Sequence, residues 1–289
     1  MAKPEVIPGH EIGATVVFTG RKVPAFIKPG MNVTVNPYTS CGVCPSCRNR
    51  RPNACRDNQT LGVQRDGGMR EYMAVPWEKV ILAENISPMR TALVEPLSVG
   101  FHAVSRAQVT DSDTVMVIGC GMVGLGAIVR SSLRGARVIA ADIDDSKLEI
   151  ARGMGAEHAL NTKSADFHER LIAMTGSAGP DVIIEAAGSP ETYRLAVDEV
   201  AYTGRVICIG YSKNDVTFTT KLFVQKELDI RGSRNALPDD FEAVIGYLEK
   251  TTCDIDRLIS RTVTFQNAGE VLSYWSEHPG KVFRILLKI

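Results

Sequence analysis

The stretch Thr114-Val115-Met116-Val117-Ile118-Gly119-Cys120-Gly121-Met122-Val123-Gly124 decides the expected fold. Its apolar run predicts a buried strand, its glycines predict a turn, and the residues that follow predict a helix. A second strand-like run, residues 137–141, comes next and ends at Asp142. Strand, glycine turn, helix and acid in this order form the dinucleotide-binding fingerprint. Its three glycines permit, in turn, the tight bend, the approach of a pyrophosphate and the close packing of helix on strand.

NAD is the cofactor that this stretch predicts. The helix N-terminus offers free N–H groups and a partial positive charge to the phosphates. Asp142 has the spacing of a carboxylate that binds the adenosine ribose hydroxyls, and it would repel the 2′-phosphate of NADP. A β-turn-α unit that binds no nucleotide is the alternative. The cofactor-binding candidates of the stretch are Gly119, Gly121, Met122, Val123, Gly124 and Asp142.

Strand-like and helical segments alternate from Thr114 to Gly232, which predicts a doubly wound parallel sheet. Strands are expected at 114–118, 137–141, 156–160, 181–185, 205–209 and 228–232, and helices near 123–134, 146–154, 166–175, 191–200 and 218–224. The ligand crevice of such a sheet lies outside the carboxyl ends of its strands. Segments 185–188, 209–211 and 233–235 are expected there, with Ile209, Gly210 and Arg234 as further cofactor-binding candidates.

The composition excludes several classes of protein. Apolar residues make up 44% and charged residues 23% of the 289 positions, as in ordinary globular proteins. Lys plus Arg equals Asp plus Glu, at 33 each, so no basic excess points to nucleic acid. No apolar run is long enough to span a membrane, and the start does not resemble a signal peptide. We therefore expect a cytoplasmic protein with no membrane or nucleic-acid partner.

Four of the seven cysteines fall within one short segment. They are Cys41, Cys44, Cys47 and Cys55. Four thiolates can close tetrahedrally around one zinc ion and leave no position for water, so the predicted site is structural. Unrelated buried or oxidised cysteines are one alternative. A zinc ribbon that grips nucleic acid through Arg48, Arg50 and Arg51 is another, and the balanced net charge disfavours it.

Three further residues are candidate metal ligands. His10 and Glu11 are adjacent, just before an apolar strand-like run, and taken alone they favour a polar turn. Glu95 is a lone acid in the apolar stretch 92–104, which predicts a helix or two helical pieces joined near Pro96. A buried carboxylate is costly unless it is paired or bound to a metal, so Glu95 is either a ligand or a hydrogen-bonded or salt-bridged acid.

The N-terminal and C-terminal parts of the chain both contain strand-like runs. Residues up to Pro37 are expected to be strand-rich, and residues 62–75 to form turn and strand. A helix is predicted at 239–250, and strand-like runs such as 282–287 follow it. We therefore predict a β-rich domain at 1–97 with a zinc lobe at 38–57, a nucleotide-binding domain at 98–235, and a return to the first domain at 236–289.

Gly9-His10-Glu11, the four cysteines, Glu95-Pro96-Leu97, the glycine turn and Asp142 stand in the order found in zinc-containing medium-chain alcohol dehydrogenases. The chain most resembles the branch of sorbitol and sugar-acid (idonate, galactonate) dehydrogenases, over essentially its whole length. The resemblance implies an α/β fold, with a Rossmann doubly wound parallel sheet plus a GroES-like β-rich catalytic domain. It also implies a zinc-dependent oxidoreductase that transfers hydride from a secondary alcohol of a polyol or sugar acid to NAD.

The same resemblance implies roles for individual residues. In that family the counterparts of His10, Glu11 and Glu95 lie at a catalytic zinc, and the four cysteines hold a structural zinc. Arg234 matches an arginine that reaches the nicotinamide and the substrate, and its planar fork suits a sugar acid. A zinc ion with an open position would lower the pKa of the substrate hydroxyl. Since relatives are commonly dimers or tetramers, a homo-oligomer that acts on a small-molecule alcohol is expected.

One departure from the family concerns the start of the chain. The family carries a strand-rich segment with a cysteine ligand of the catalytic zinc before its Gly-His-Glu motif. This chain begins nine residues before His10, and no cysteine precedes Cys41. The catalytic domain is therefore expected to be N-terminally truncated, with a weak zinc site. A catalytically silent protein that binds NAD and zinc is the alternative function.

Overall fold

The computed structural model describes residues 6–289, and the chain forms two compact units. One unit contains the chain up to Ser98 and again from Asn235 to Ile289. The other unit contains Val99–Arg234. The first five residues of the β-rich domain predicted at 1–97 lie outside the described residues. No helix in the described part of the chain is both long and apolar enough to cross a membrane.

The regular elements are numbered in chain order. The strands are β1 (Ala14–Thr15), β2 (Asn32–Val35), β3 (Val80–Leu82), β4 (Thr114–Ile118), β5 (Arg137–Asp142), β6 (His158–Asn161), β7 (Val182–Glu185), β8 (Arg205–Cys208), β9 (Asp229–Gly232), β10 (Ile259–Thr264) and β11 (Arg284–Lys288). The helices are α1 (Pro45–Arg48), α2 (Pro88–Thr91), α3 (Val94–Ala107), α4 (Met122–Leu133), α5 (Asp145–Gly153), α6 (Phe167–Met174), α7 (Pro190–Glu199), α8 (Lys221–Gln225), α9 (Pro238–Lys250) and α10 (Val271–Glu277).

The unit Val99–Arg234 is built around a parallel sheet with the strand order β6-β5-β4-β7-β8-β9. Each described strand pairs in parallel with its neighbours. Strand order reverses at β4, which has β5 on one side and β7 on the other. The predicted doubly wound sheet is confirmed, and its six strands lie within two residues of their expected bounds.

Apolar strands form the core of this sheet because helices cover both of its faces. Residues 115–118 of β4 are almost completely buried. On one face, Met116 and Ile118 pack with Ile139, Leu160 and Ile183 in a single cluster. The continuous apolar runs in the sequence therefore reflect burial on both sides of the strands.

The other unit contains two small sheets. Strands β1, β2 and β3 pair antiparallel, and β10 and β11 form a parallel pair. A small core of Ile12, Val35 and Leu61 lies beside β2. The helix predicted at 239–250 is present as α9, and the predicted strand near 282–287 is present as β11.

Two local expectations in this half of the sequence are resolved by the structure. Residues 94–107 form one helix rather than two, because Pro96 lies in its first turn, where no intrahelical N–H bond is lost. The strand expected within 62–75 is wrong: the described residues there form turns and an isolated bridge between Leu61 and Arg65. The backbone N–H groups of residues 67–69 bond instead to the segment that carries His10.

An ion pair stabilises the sheet at the amino ends of its strands. Arg205, the first residue of β8, pairs with Asp113 just before β4, and the Asp113 side chain is only 8% exposed. Arg205 also donates to the carbonyl oxygens of Ala107 and Gln108. The second Asp113 oxygen accepts from the Thr110 amide at 2.7 Å. Removing the guanidinium would therefore leave a buried carboxylate and two carbonyls without their partner.

We predict that Arg205→Ala lowers the free energy of unfolding by about 3 kcal/mol, because breaking one side of a buried pair strands the other charge. Urea titration followed by circular dichroism measures this change. Arg194→Ala is the matched control, since Arg194 forms an exposed pair with Glu191 and should change stability by less than about 1 kcal/mol. Equal losses of unfolding free energy in the two variants would show that the Arg205–Asp113 pair does not stabilise the sheet.

Candidate active site

The structure brings together three of the predicted metal ligands. His10 and Glu11 lie just before β1, and Glu95 lies in the first turn of α3. Each offers one ligand atom, and these three atoms all lie within 4.8 Å of one another. One imidazole nitrogen and two carboxylate oxygens thus face a common point, although Glu95 is more than eighty residues from the other two in sequence.

Burial governs the electrostatics of these three groups. It raises the pKa of Glu95 to about 7 and the pKa of Glu11 to about 6. Burial also lowers the pKa of His10, which favours the neutral imidazole that metals bind. Two buried carboxyl groups beside a neutral histidine are costly to ionise without a cation between them. Histidine nitrogen and carboxylate oxygen are both zinc ligands, and three protein ligands leave a fourth position open for substrate. The residues therefore fit a catalytic zinc.

Tyr38 is a functional candidate that sequence reasoning missed. It follows β2, is 5% exposed, and its hydroxyl donates to Oε1 of Glu95. Its own position is fixed by Lys79, which donates to its carbonyl oxygen at 2.7 Å, and by an edge-on contact with Phe241. A donor of this kind orients a ligating carboxylate and leaves its other oxygen for the metal. No spacing in the sequence connects residue 38 to residue 95.

Arg284 is a second candidate that the sequence did not indicate. It is the first residue of β11, and its Nε lies 2.7 Å from Oε2 of Glu11. Its positive charge opposes the effect of burial by lowering the pKa values of Glu11 and Glu95. Arg284 is a charged residue inside an apolar strand-like run. This interruption of the apolar pattern was the feature of the sequence that could have singled it out.

The turn that carries His10 is clamped by a glycine-rich segment. Gly67 N donates to Ile7 O at 2.7 Å, Gly68 N to Gly9 O at 2.8 Å, and Met69 N to Pro8 O at 3.0 Å. The two backbones lie so close that a Cβ on Gly67 would lie 2.1 Å from the Gly9 carbonyl oxygen. Residues 62–69 therefore position the histidine by backbone contacts, which requires glycine at the point of closest approach.

The four predicted cysteines form a second cluster. Their sulfur atoms all lie within 4.8 Å of one another. Cys44 Sγ is 3.5 Å from Cys47 Sγ and 3.8 Å from Cys55 Sγ. Four sulfurs bound tetrahedrally to zinc would be about 3.8 Å apart, given Zn–S bonds of about 2.3 Å. The arrangement fits one zinc ion with no open position.

The surroundings of the cluster favour a thiolate at Cys44, whereas burial raises the pKa of Cys47 to about 11. The amide of Cys41 donates to Cys55 Sγ, and the amide of Cys44 donates to Cys41 Sγ, both at 3.3 Å. The Ser46 hydroxyl lies 3.1 Å from Cys44 Sγ and is the main cause of a pKa lowered to about 5 for that thiol. The neighbouring side chains of Arg48, Arg50 and Arg51 are exposed and form a solvated face.

The glycine turn after β4 has the geometry of a nucleotide cradle. Gly119 adopts a φ of +93°, and a Cβ on Gly124 would lie 1.8 Å from the Gly119 carbonyl oxygen. Nothing lies within 4 Å of the Cβ position of Gly121, so the space in front of the turn is open. Helix α4 begins at Met122 without a side-chain cap, which leaves its first N–H groups available, including that of Val123. The turn therefore fits a bound pyrophosphate.

Asp142 lies at the carboxyl end of β5, beside this turn. One of its oxygens accepts from Cys120 N at 2.6 Å, and the other accepts from Asp144 N at 3.0 Å. These bonds fix the carboxylate, and each oxygen retains a lone pair for a ribose hydroxyl. Past β8, the amides of Ile209 and Gly210 donate to the Glu185 carbonyl oxygen.

Arg234 belongs to the nucleotide-binding unit, and the zinc ligand candidates belong to the other unit. It lies two residues past the end of β9 and is exposed.

Two family models match the sequence. The zinc-binding dehydrogenase model matches residues 123–250, and the alcohol dehydrogenase GroES-like domain model matches residues 1–85. L-galactonate-5-dehydrogenase of Escherichia coli K12 is 33% identical over 262 residues, which cover 91% of this chain and 77% of that protein. Sorbitol dehydrogenase of Bacillus subtilis 168 is 33% identical over 234 residues, covering 80% and 66%.

Solved structures that resemble this chain are also alcohol dehydrogenases or zinc-binding dehydrogenases. An alcohol dehydrogenase from Escherichia coli CFT073 in complex with NADH superposes with a TM-score of 0.88 at 30% identity, covering 98% of this chain and 83% of that one. A zinc-binding dehydrogenase from Sinorhizobium meliloti 1021 bound to NADP has a TM-score of 0.86 at 30% identity, covering 94% and 81%. The chain belongs to the zinc-type alcohol dehydrogenase family. It is an oxidoreductase that uses zinc and a nicotinamide cofactor, as the resemblance predicted.

We predict that Gly67→Ala removes the catalytic zinc and leaves the structural zinc in place. The added Cβ would displace the Gly9 carbonyl and with it His10, while the four cysteines are untouched. Plasma mass spectrometry of the purified variant should show a drop from about two zinc ions per chain to about one. Gly20→Ala is the control, because nothing lies within 4 Å of its Cβ position. Full zinc content in Gly67→Ala would show that the clamp does not position the site.

Proposed function

We propose that the protein oxidises a secondary alcohol of a polyol or sugar acid and transfers the hydride to NAD. The observation that carries the proposal is the convergence of His10, Glu11 and Glu95, with Glu95 oriented by Tyr38. The glycine turn with Asp142 supports NAD as the acceptor. Similarity to a galactonate dehydrogenase and a sorbitol dehydrogenase supports the substrate class.

Each site residue has its own role in this reaction. His10 and Glu95 would hold the metal through an imidazole nitrogen and a carboxylate oxygen. Zinc bound there supplies a Lewis acid that lowers the pKa of the substrate hydroxyl, and NAD supplies the hydride acceptor. Tyr38 keeps Glu95 in one orientation throughout. Glu11 would act as a direct or water-mediated ligand or as an acid–base group.

We assign the four cysteines to a structural zinc. The surrounding segment, residues 38–57, contains only α1 and a short 3₁₀ turn at Pro52–Ala54, so it has little core of its own. A metal with four thiolate ligands supplies folding free energy to such a segment. The Cys41, Cys44, Cys47 and Cys55 cluster would therefore act on stability rather than on chemistry.

We assign Arg234 to substrate or nicotinamide recognition. Its guanidinium can form two parallel hydrogen bonds to a carboxylate, or donate to vicinal hydroxyl groups of a polyol. Arg234 is exposed and lies two residues past the end of β9. This assignment supports a sugar acid over a simple alcohol.

We also propose that the enzyme is cytoplasmic and homo-oligomeric, as a dimer or tetramer. None of the seven cysteines forms a disulfide bond, which suits a reducing compartment. Strand β9 ends the described sheet, three of its four residues are exposed, and Ile230 is 43% exposed. Exposed apolar side chains on an edge strand favour association with another chain. Light scattering after gel filtration measures the mass, and a monomer at micromolar concentration would contradict the oligomer.

We predict that the protein reduces NAD in the presence of polyols or aldonates, and that Glu95→Gln lowers kcat/KM at least about a hundredfold. The substitution removes a charged ligand from a buried site, which weakens metal binding. Absorbance at the NADH band measures the rate across a panel of sugar alcohols and sugar acids. Glu84→Gln, at an exposed position, should retain full activity. No NAD reduction with any of these substrates, or a full rate in Glu95→Gln, would contradict the proposed function.

We predict that Asp142→Asn lowers the preference for NAD over NADP at least about tenfold. The change removes the negative charge that repels a 2′-phosphate, while one acceptor oxygen for the ribose remains. The ratio of kcat/KM values for the two cofactors measures the effect. Asp215→Asn, exposed in the loop after β8, controls for the loss of one charge. An unchanged ratio would show that Asp142 does not select the cofactor.

A further inference from the structure

Glu185 is a fully buried acid that belongs to neither of the candidate metal-ligand groups. It is the last residue of β7 and is 0% exposed. Its Oε1 accepts hydrogen bonds from Ala187 N at 3.0 Å, Gly188 N at 2.7 Å and Thr192 Oγ1 at 2.8 Å. One carboxylate oxygen therefore fixes the turn after β7 and the first turn of α7.

The backbone of the same residue holds the segment after β8. Its carbonyl oxygen accepts from Ile209 N at 2.9 Å and from Gly210 N at 3.1 Å. The two segments pack so closely that a Cβ on Gly210 would lie 2.4 Å from Gly188 N and 2.7 Å from Oε2 of Glu185. Glu185 thus joins two neighbouring turns at the carboxyl edge of the sheet.

The second carboxylate oxygen does not contribute to this network. Oε2 is buried and has no hydrogen-bond partner among the described residues. Burying an unpaired polar atom costs free energy, so an apolar residue of similar size would avoid that cost. Stability of the fold therefore does not explain why an acid occupies this position. The geometry that its carboxylate imposes on the two turns explains it better.

Tyr193 holds the other side of the segment after β8. It projects from α7, and its hydroxyl donates to the Gly210 carbonyl oxygen at 2.5 Å. Gly210 is thereby fixed at its N–H by Glu185 and at its carbonyl by Tyr193. Since Thr192 of the same helix also bonds to Glu185, helix α7 and the two turns form one hydrogen-bonded unit.

We propose that Glu185 and Tyr193 are positioning residues that hold segment 209–211 ready for the nicotinamide half of the cofactor. The inference rests on the proposed function, because it needs a bound dinucleotide. Such cofactors bind with one nucleotide on each side of the point where strand order reverses. That point is β4, with Asp142 at the end of β5 on one side and Gly210 following β8 on the other. The pair therefore acts on the nicotinamide half and not on the adenosine half.

Tyr193→Phe tests this division. It removes the hydroxyl that holds Gly210 and keeps the ring, so NADH should bind about five- to tenfold more weakly, the value of about one hydrogen bond. AMP, which occupies only the adenosine half, should bind within about twofold of the wild-type affinity. NADH fluorescence titration and calorimetry with AMP measure the two dissociation constants. Glu185→Ala should show the same selectivity with a larger loss for NADH.

Tyr202→Phe is the matched control, because Tyr202 is 69% exposed and lies before β8, and it should change neither constant. Unchanged NADH binding in Tyr193→Phe, or an equal loss for NADH and AMP, would overturn the inference. An equal loss would mean that the tyrosine only stabilises the fold. If the wild-type protein bound neither NADH nor AMP, the proposed function itself would fail, which separates the two outcomes.

Discussion

The burial of Glu95 beside Glu11 is the constraint on which the rest of the catalytic unit depends. Two carboxyl groups with raised pKa values lie within reach of one imidazole, and a metal cation between them would further favour their ionised forms. Tyr38, Arg284 and the clamp at 62–69 are understood as consequences of that constraint. Tyr38 satisfies one oxygen of Glu95, Arg284 partly neutralises Glu11, and the clamp fixes the histidine. The nearby segments thus supply orientation, while the ligands supply charge.

In the nucleotide-binding unit, backbone atoms rather than side chains shape most of the candidate binding site. A parallel sheet brings the ends of β4, β5, β7 and β8 to one edge, where the turns are packed against each other by glycines. The space left open at Gly121 and the uncapped start of α4 are features that a phosphate group would use. Glu185 and Asp142 lie on opposite sides of β4, and each fixes backbone amides of the turns around it. Substrate chemistry and cofactor binding are therefore prepared by separate sets of residues.

The sequence predicts those features whose spacing carries a physical meaning. The glycine turn, the four cysteines and the strand–helix alternation are all recognised from residue spacing. The family and the parallel sheet that they indicated are confirmed. Tyr38 and Arg284 could not be found this way, because their contacts depend on how distant segments pack. The strand expected within 62–75 failed for a related reason: its glycines serve close approach to residues 7–9 rather than turns between strands. The assigned roles of the ligands and of Arg234 stay predictions.

We infer that this chain holds two different zinc ions, one for structure and one for chemistry. Zinc K-edge absorption spectroscopy combined with metal analysis of the purified protein distinguishes the two sites. We expect about two zinc ions per chain, one with four sulfur ligands and one with only nitrogen and oxygen ligands. A single zinc ion per chain with only sulfur ligands would contradict it, because His10, Glu11 and Glu95 would then not form a metal site.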